Sequence, residues 1–215
     1  MKEPQKRHHR QRAHCNPFSD HDIEYPLNPE AYGEKVSMVD IGCGYGGLLF
    51  KLSEAYPAER ILGMEIRKKL VEYVRLKIKY RQETTEKYQN VSVVRTNSMK
   101  FLPNYIEKGA VSKMFILFPD PHFKKKKHKA RIVSSTMLDI YQYVLQPEGL
   151  LYIATDVEEL FVYMVGCLEA HPLFSRVPEP ETNPLFSVII EETEESKKAD
   201  MKNSRKHRAI FRNVG

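Results

Sequence analysis

The sequence is poor in cysteine. Only Cys15, Cys43 and Cys167 occur in its 215 residues. The number is odd, the spacings are wide, and no CxxC or Cys/His ligand pair appears. That pattern excludes a disulfide framework and argues against a structural zinc, so no metal is expected. A chain without disulfides reads as intracellular. Long apolar runs are also missing. None approaches the ~20 residues that a membrane helix requires. The N-terminus is basic, but no apolar h-region follows it as in a signal peptide. No internal repeat is present. The length suits one domain with a real core and leaves little room for a second.

What is present is positive charge. The net charge is +6, a balance that fits an anionic partner. The basic residues concentrate in 6–12 (KRHHRQR), 124–131 (KKKKHKAR) and 202–208 (KNSRKHR). Such clustering favours nucleic acid over an even spread, and a solvated basic surface stays open beside it.

Residues 1–33 are polar and carry Pro4, Pro17, Pro26 and Pro29. They read as a basic, extended arm, with the folded domain spanning 34–215 and cooperative structure starting near Val36. From there the chain alternates. Short β-branched or apolar runs at 36–41, 60–65, 91–96, 113–118 and 149–155 read as strands. Helical periodicity fills the intervals. In 67–82, Leu70, Val71, Val74 and Ile78 share a face. In 131–145 the stripe is Met137, Leu138, Tyr141, Val144 and Leu145, stopped by Pro147 and Gly149. In 157–170 it is Leu160, Phe161, Met164, Val165 and Leu168. This alternation predicts an α/β fold with a doubly wound, mostly parallel sheet and helices on both faces. Ligands of such sheets lie beyond the C-terminal ends of the strands.

The strand ends are therefore the places to look. After the first comes DIGCGYGG, 40–47. Its glycines, Gly42 and Gly44 among them, allow a tight turn that brings bare backbone toward a ligand at a helix N-terminus. Gly42, Gly44 and Gly47 also satisfy the dinucleotide pattern GxGxxG. The second strand ends in GMEIR. Glu65 lies about 20 residues beyond the glycines, as suits a carboxylate that takes both ribose hydroxyls. A first-turn glutamate complementing a helix dipole is the plainer reading. Arg67 suits either a ligand or the surface. Asn97 can hold an adenine amino group or merely cap the helix at 98–102. The fourth strand delivers Asp120 between Pro119 and Pro121, which fix φ on both sides and remove two donors. A stiff loop there favours a site residue over a turn aspartate. The fifth strand delivers Asp156, which together with Glu159 also looks like a helix-capping pair.

VDIGCGYGG, GMEIR, TNSMKFL, FILFPDPHFKKKKHK, TDVEEL and TEESKK together resemble the tRNA (guanine-N7)-methyltransferases over nearly the whole chain. The proline-framed aspartate followed by a basic run is the specific part. The N-terminal PQKRHHRQRAHCNP resembles the eukaryotic branch, whose catalytic subunit works with a WD-repeat β-propeller partner. The segment NPEAYGEK, between the arm and the first strand, is shorter than is usual there. The resemblance implies a Rossmann-like class I methyltransferase that moves a methyl group from S-adenosyl-L-methionine to N7 of a guanosine in the tRNA variable loop, in the nucleus. It implies that Gly42, Gly44, Glu65, Arg67, Asn97, Ser98 and Leu117 contact the cofactor and that Asp120 is the active-site acid. It also implies that Lys124 and Asp156 face the substrate, and that Thr193 and Glu195 close over the site. Two other readings rest on the same glycine loop. One is an NAD(P)-dependent oxidoreductase, although no Tyr-x-x-x-Lys set for hydride transfer is evident. The other is an RNA-binding module with a vestigial cofactor pocket.

Overall fold

A computed structural model describes residues 2–12, 15–19, 22–178 and 205–215. Its centre is a seven-stranded sheet in the order β3-β2-β1-β4-β5-β7-β6. The strands are β1 (Met38–Ile41), β2 (Ile61–Glu65), β3 (Val91–Arg95), β4 (Val111–Leu117), β5 (Leu145–Thr155), β6 (Phe174–Arg176) and β7 (His207–Asn213). β1 to β5 run parallel, and β7 lies antiparallel to both β5 and β6. The helices are α1 (Pro29–Tyr32), α2 (Gly47–Ala55), α3 (Lys68–Thr85), α4 (Ser98–Tyr105), α5 (Ser135–Val144) and α6 (Glu158–Glu169). The doubly wound, mostly parallel sheet expected from the sequence is the observed fold.

Strand side chains alternate between faces, which divides the core in two. Val39, Ile41, Met114, Ile116, Leu151 and Ile153 pack with α4, α5 and α6. Met38, Phe115, Tyr152 and Ile210 pack with α2 and α3. Phe115 and Tyr152 stack across β4 and β5, with centroids 4.8 Å apart. Strands covered on both faces read as continuous apolar runs, which is why they stood out in the sequence.

Three features depart from the sequence reading. β6 and β7 were not legible as strands. β5 starts at Leu145, so Pro147 and Gly149 do not simply end a helix; they fall within the strand, where Glu148 takes φ 64° and the register against β4 shifts. The span 131–145 is not all helix either. A 3₁₀ turn, Lys125–Ala130, precedes α5, whose N-cap is Ser134.

The N-terminal arm lies against the domain at many points. Residues Lys6–His9 form a 3₁₀ turn against α3, and the Gln11 side chain accepts from the Lys69 backbone N–H. Tyr25 stacks on Phe101 at 3.8 Å. Arg95 donates to the Asp22 carbonyl, and Asn104 to the carbonyls of Pro26 and Leu27. The short NPEAYGEK segment forms α1, capped by Asn28 at one end and by Gly33, with φ 77°, at the other.

Gly63, in mid-β2, tests the packing that sets the glycine loop against the sheet. A Cβ there would stand 2.6 Å from Leu49 Cδ1 and 2.9 Å from Cys43 Sγ, and both side chains are buried. Overpacking of this kind costs about 1–3 kcal/mol. Gly63→Ala is expected to lower Tm by roughly 2–10 °C in thermal denaturation. An unchanged Tm would show that α2 yields without cost.

Candidate active site

The C-terminal ends of β1, β2, β3 and β4 surround a cavity of about 250 Å³. Gly42, Gly44, Glu65, Arg67, Asn97, Ser98, Leu117 and Asp120 all line it. Eight of the residues singled out from the sequence therefore meet in one place. Lys124 is exposed as the N-cap of the following 3₁₀ turn, and Asp156 is half-buried after β5; neither is among the lining residues. Thr193 and Glu195 lie outside the described residues. Among the described residues no cluster of His, Cys, Asp and Glu has metal-binding geometry.

The glycine loop owes its shape to backbone freedom. Gly42, Gly44 and Gly46 take φ of 78°, 54° and 72°, values that side-chain-bearing residues rarely adopt. Gly42 and Cys43 donate their N–H groups to the Met64 carbonyl, which ties the loop to the end of β2. A Cβ on Gly42 would meet nothing within 4 Å, so the backbone there borders open space. At Gly46 the constraint is packing: a Cβ would stand 2.9 Å from Val74 on α3.

Glu65 is 3% exposed, and the hydrogen bonds around its carboxylate are specific. Oε2 accepts from Gly44 N at 3.1 Å and from Arg67 Nη2 at 2.7 Å. Oε1 accepts from Arg67 N at 2.9 Å and Arg67 Nε at 3.0 Å. The acid is thus held by its own loop and by a bidentate guanidinium, the stronger form of such pairs. It does not act as a helix-end complement alone.

Asn97 does two things at once. Its Oδ1 accepts from Met99 N at 3.2 Å and caps α4, while its Nδ2 donates to the Pro17 carbonyl at 2.6 Å. Cys15 and Pro17, from the arm, line the cavity. No local sequence pattern pointed to them, since they are placed by contacts across 80 residues of chain. His122, Ala130 and Ile132 also line it and were missed. His122 sits inside the FPDPH motif but carried no separate signal.

The loop that carries Asp120 is tightly turned. Phe118 and His122, on either side of the Pro-Asp-Pro unit, take φ of 51° and 46°. The Phe118 N–H donates to the Ala154 carbonyl at 2.7 Å and so continues the β4–β5 pairing to the loop's first residue. Asp120 itself is half-buried. The proposed capping pair of Asp156 and Glu159 does not form. The N-cap of α6 is Val157 without a side-chain bond; Thr155 Oγ1 accepts the Val157 N–H, and Glu159 turns to Arg131. The basic run divides: Lys124 to Lys127 and Lys129 are exposed, whereas Arg131 is buried.

The Cys15 thiol reports on this charge arrangement. Burial pushes its pKa up, and the carboxylates of Glu65 and Asp120 add to the effect. A raised thiol pKa leaves less thiolate at a given pH. Alkylation of Cys15 by iodoacetamide, followed by peptide mass spectrometry, is expected to rise with pH about a midpoint above that of an ordinary cysteine. Glu65→Gln, which removes one of the causes, is expected to shift the midpoint down. Identical profiles would place the thiol outside the field of the cavity.

Comparison with known proteins agrees with this geometry. Residues 34–209 match the family described as "Putative methyltransferase". The tRNA (guanine-N(7)-)-methyltransferase of Caenorhabditis elegans is 50% identical over 228 residues, covering 98% of this chain and 89% of that protein. The aminoglycoside resistance methyltransferase NpmB1 shares the fold at a TM-score of 0.58 and 15% identity, over 86% of this chain and 91% of that one. A 16S rRNA (adenine(1408)-N(1))-methyltransferase from Catenulisporales acidiphilia, solved with cosubstrate SAM, does so at 0.55 and 15%, over 87% and 90%. A Rossmann-like sheet with its glycine loop, buried acid and proline-framed aspartate around one cavity, and half-identity along nearly the full length, place this chain in the tRNA (guanine-N7)-methyltransferase family.

Proposed function

We propose that the chain transfers a methyl group from S-adenosyl-L-methionine to N7 of a guanosine in the variable loop of tRNA. The observation that carries the reading is the meeting of Glu65 and Asp120 on one cavity: a buried carboxylate beside the glycine loop and a second on a stiff loop after β4. Gly42 offers open space against bare backbone, and Glu65 and Asn97 offer the polar groups that an adenosine needs. These residues fit the cofactor, with one adjustment. Arg67 now takes two of the hydrogen bonds at the Glu65 carboxylate through its guanidinium. For Glu65 to accept from ribose hydroxyls, that guanidinium gives up part of its contact. Thr193 and Glu195 would close the site from the C-terminal side.

S-adenosylmethionine supplies an electrophilic methyl on a sulfonium. Guanine N7 has a lone pair and no proton, so the chain need not provide a strong base. The methylated ring is cationic. Asp120 accepts hydrogen bonds from the guanine N1–H and amino group, fixing the line of attack. Its charge also stabilises the positive charge that develops on the ring. The exposed lysines hold phosphates on either side of an extruded nucleotide, and those contacts offset the few kcal/mol that flipping costs. Lys124 and Asp156 face the substrate from the rim.

A WD-repeat propeller is the partner this reading adds, on the strength of the eukaryotic-like arm. Tyr143, Leu173 and Val214 are exposed apolar side chains that share no residue with the cavity lining. They support docking on a face away from the strand C-termini.

Asp120→Asn keeps shape and removes charge. The variant is expected to bind S-adenosylhomocysteine as the wild type does, while methylation falls by about 10²–10³. Borohydride/aniline cleavage of the tRNA product, with and without a propeller partner, reads both the rate and the modified base. Wild-type rates in the variant would end the assignment of Asp120. Modification at an atom other than guanine N7 would end the functional reading.

The lysines make a separate prediction. Lys124→Ala/Lys125→Ala and Lys126→Ala/Lys127→Ala are expected to weaken tRNA binding and to flatten log K against log salt by about 0.7–0.9 per lost phosphate contact. Asp120→Asn is expected to leave that slope unchanged, since a base contact releases no counterions. Superimposed lines for the lysine pairs and wild type would make the run a solvated surface.

A further inference from the structure

The last basic residue of KKKKHKAR does not belong with the others. Arg131 is 3% exposed, and its guanidinium is held from several directions. Nε donates to the Pro121 carbonyl at 3.0 Å. Nη2 donates to Glu159 Oε1 at 3.1 Å and lies 3.2 Å from His128 Nε2. Arginine has no acceptor, so in this contact the His128 nitrogen is the accepting atom. The face of the guanidinium lies 4.4 Å from the centroid of Tyr163. A cation held this way is not available to a phosphate.

What it holds is the carbonyl next to Asp120. The loop contains two non-glycine residues at positive φ, Phe118 and His122. Such conformations cost of order 1–3 kcal/mol each and persist only where the surroundings over-determine them. On the Phe118 side the β5 backbone does so, through the Ala154 carbonyl. On the His122 side Arg131 Nε does so, through the Pro121 carbonyl. The anchor is itself braced from α6 by Glu159 and Tyr163, one turn apart on that helix. The 3₁₀ turn explains how the residue is delivered. His128 and Arg131 are three apart, a spacing that aligns side chains in a three-residue period. Ala130 is small enough to be buried at the turn's end.

We infer that Arg131 is the positioning residue for Asp120. Through the Pro121 carbonyl it fixes the distance and direction of the acid relative to the substrate ring, and Glu159 and Tyr163 fix Arg131. The lysines and the anchor lie on one short turn, so the segment that meets the RNA backbone also sets the acid. The inference rests on the proposed role of Asp120 in methyl transfer to tRNA.

The test is a double-mutant cycle in single-turnover methylation, using Arg131→Lys, Asp120→Asn and the pair, with the propeller partner present wherever wild-type activity requires it. Lysine keeps the charge but cannot reach the Pro121 carbonyl and Glu159 in the same geometry. Arg131→Lys is expected to lower the rate by about a hundredfold, with tRNA affinity and S-adenosylhomocysteine affinity within a factor of about two. The pair is expected to be no slower than Asp120→Asn alone, because a residue that acts through another adds nothing once the other is lost. Glu159→Ala changes a side chain that is 65% exposed, a milder change than one at buried Arg131. It is expected to lower the rate in the same direction by a smaller factor. Independent, multiplying losses in the pair would overturn the inference, as would a wild-type rate in both Arg131→Lys and Glu159→Ala. If Arg131→Lys does not fold, Glu159→Ala combined with Asp120→Asn decides by the same criterion. A wild-type rate in Asp120→Asn would instead remove the reading beneath it.

Discussion

The parallel pairing of β1 with β4 is the constraint on which the site depends. Met38 to Asp40 stand opposite Lys113 to Phe115, and strand order reverses there: β2 and β3 lie to one side, β5 to the other. Connections on the two sides leave over opposite faces, and a crevice opens between them at the strand ends. The glycine loop follows β1, and the Pro-Asp-Pro loop follows β4. Two segments separated by more than 70 residues thus become opposite walls of one cavity. Asn97, after β3, and Glu65, the last residue of β2, also line it.

Charge in this protein is sorted by burial more than by sequence position. Arg67 and Arg131 are both close to lysines in the chain, yet each is folded inward onto a carboxylate and a loop. Lys124 to Lys127 and Lys129 stay in solvent. The difference follows from the side chains. A planar guanidinium offers several donors in fixed directions and is weakly hydrated, so it can be buried when every donor is used. An ammonium is strongly hydrated and is better left exposed, where it meets a phosphate as a point charge. A run that looks uniform by composition therefore contains two kinds of part.

Most of the fold was legible because β1, β2, β4 and the central part of β5 are largely buried and so are mostly apolar. β6 and β7 were not. β7 carries His207, Arg208 and Arg212 among its apolar residues, and β6 is three residues long. Local pattern cannot identify such strands; pairing with β5 makes them. The same holds for the site. Gly42, Gly44, Glu65, Asn97 and Asp120 were readable because strand ends and glycine or proline punctuation mark them. Cys15 and Pro17 were not, because the arm is held by contacts to residues far along the chain. Arg131 was counted only as part of the basic run for a related reason: nothing in such a run says which member will find a carbonyl behind it.

The loop around Asp120 shows why those hidden contacts matter. Pro119 and Pro121 reduce the freedom of the unfolded chain and so lower the cost of ordering the loop. That gain is set against the positive φ of Phe118 and His122. The balance is closed from outside the loop, by the Ala154 carbonyl at one end and Arg131 at the other. In the reaction proposed above the acid moves no proton, so position and charge are all that its carboxylate would contribute. Charge comes with the residue. Position depends on contacts from outside the loop, among them the β4–β5 ladder at one end and Arg131 at the other. Arg131 caps the turn that also carries the exposed lysines.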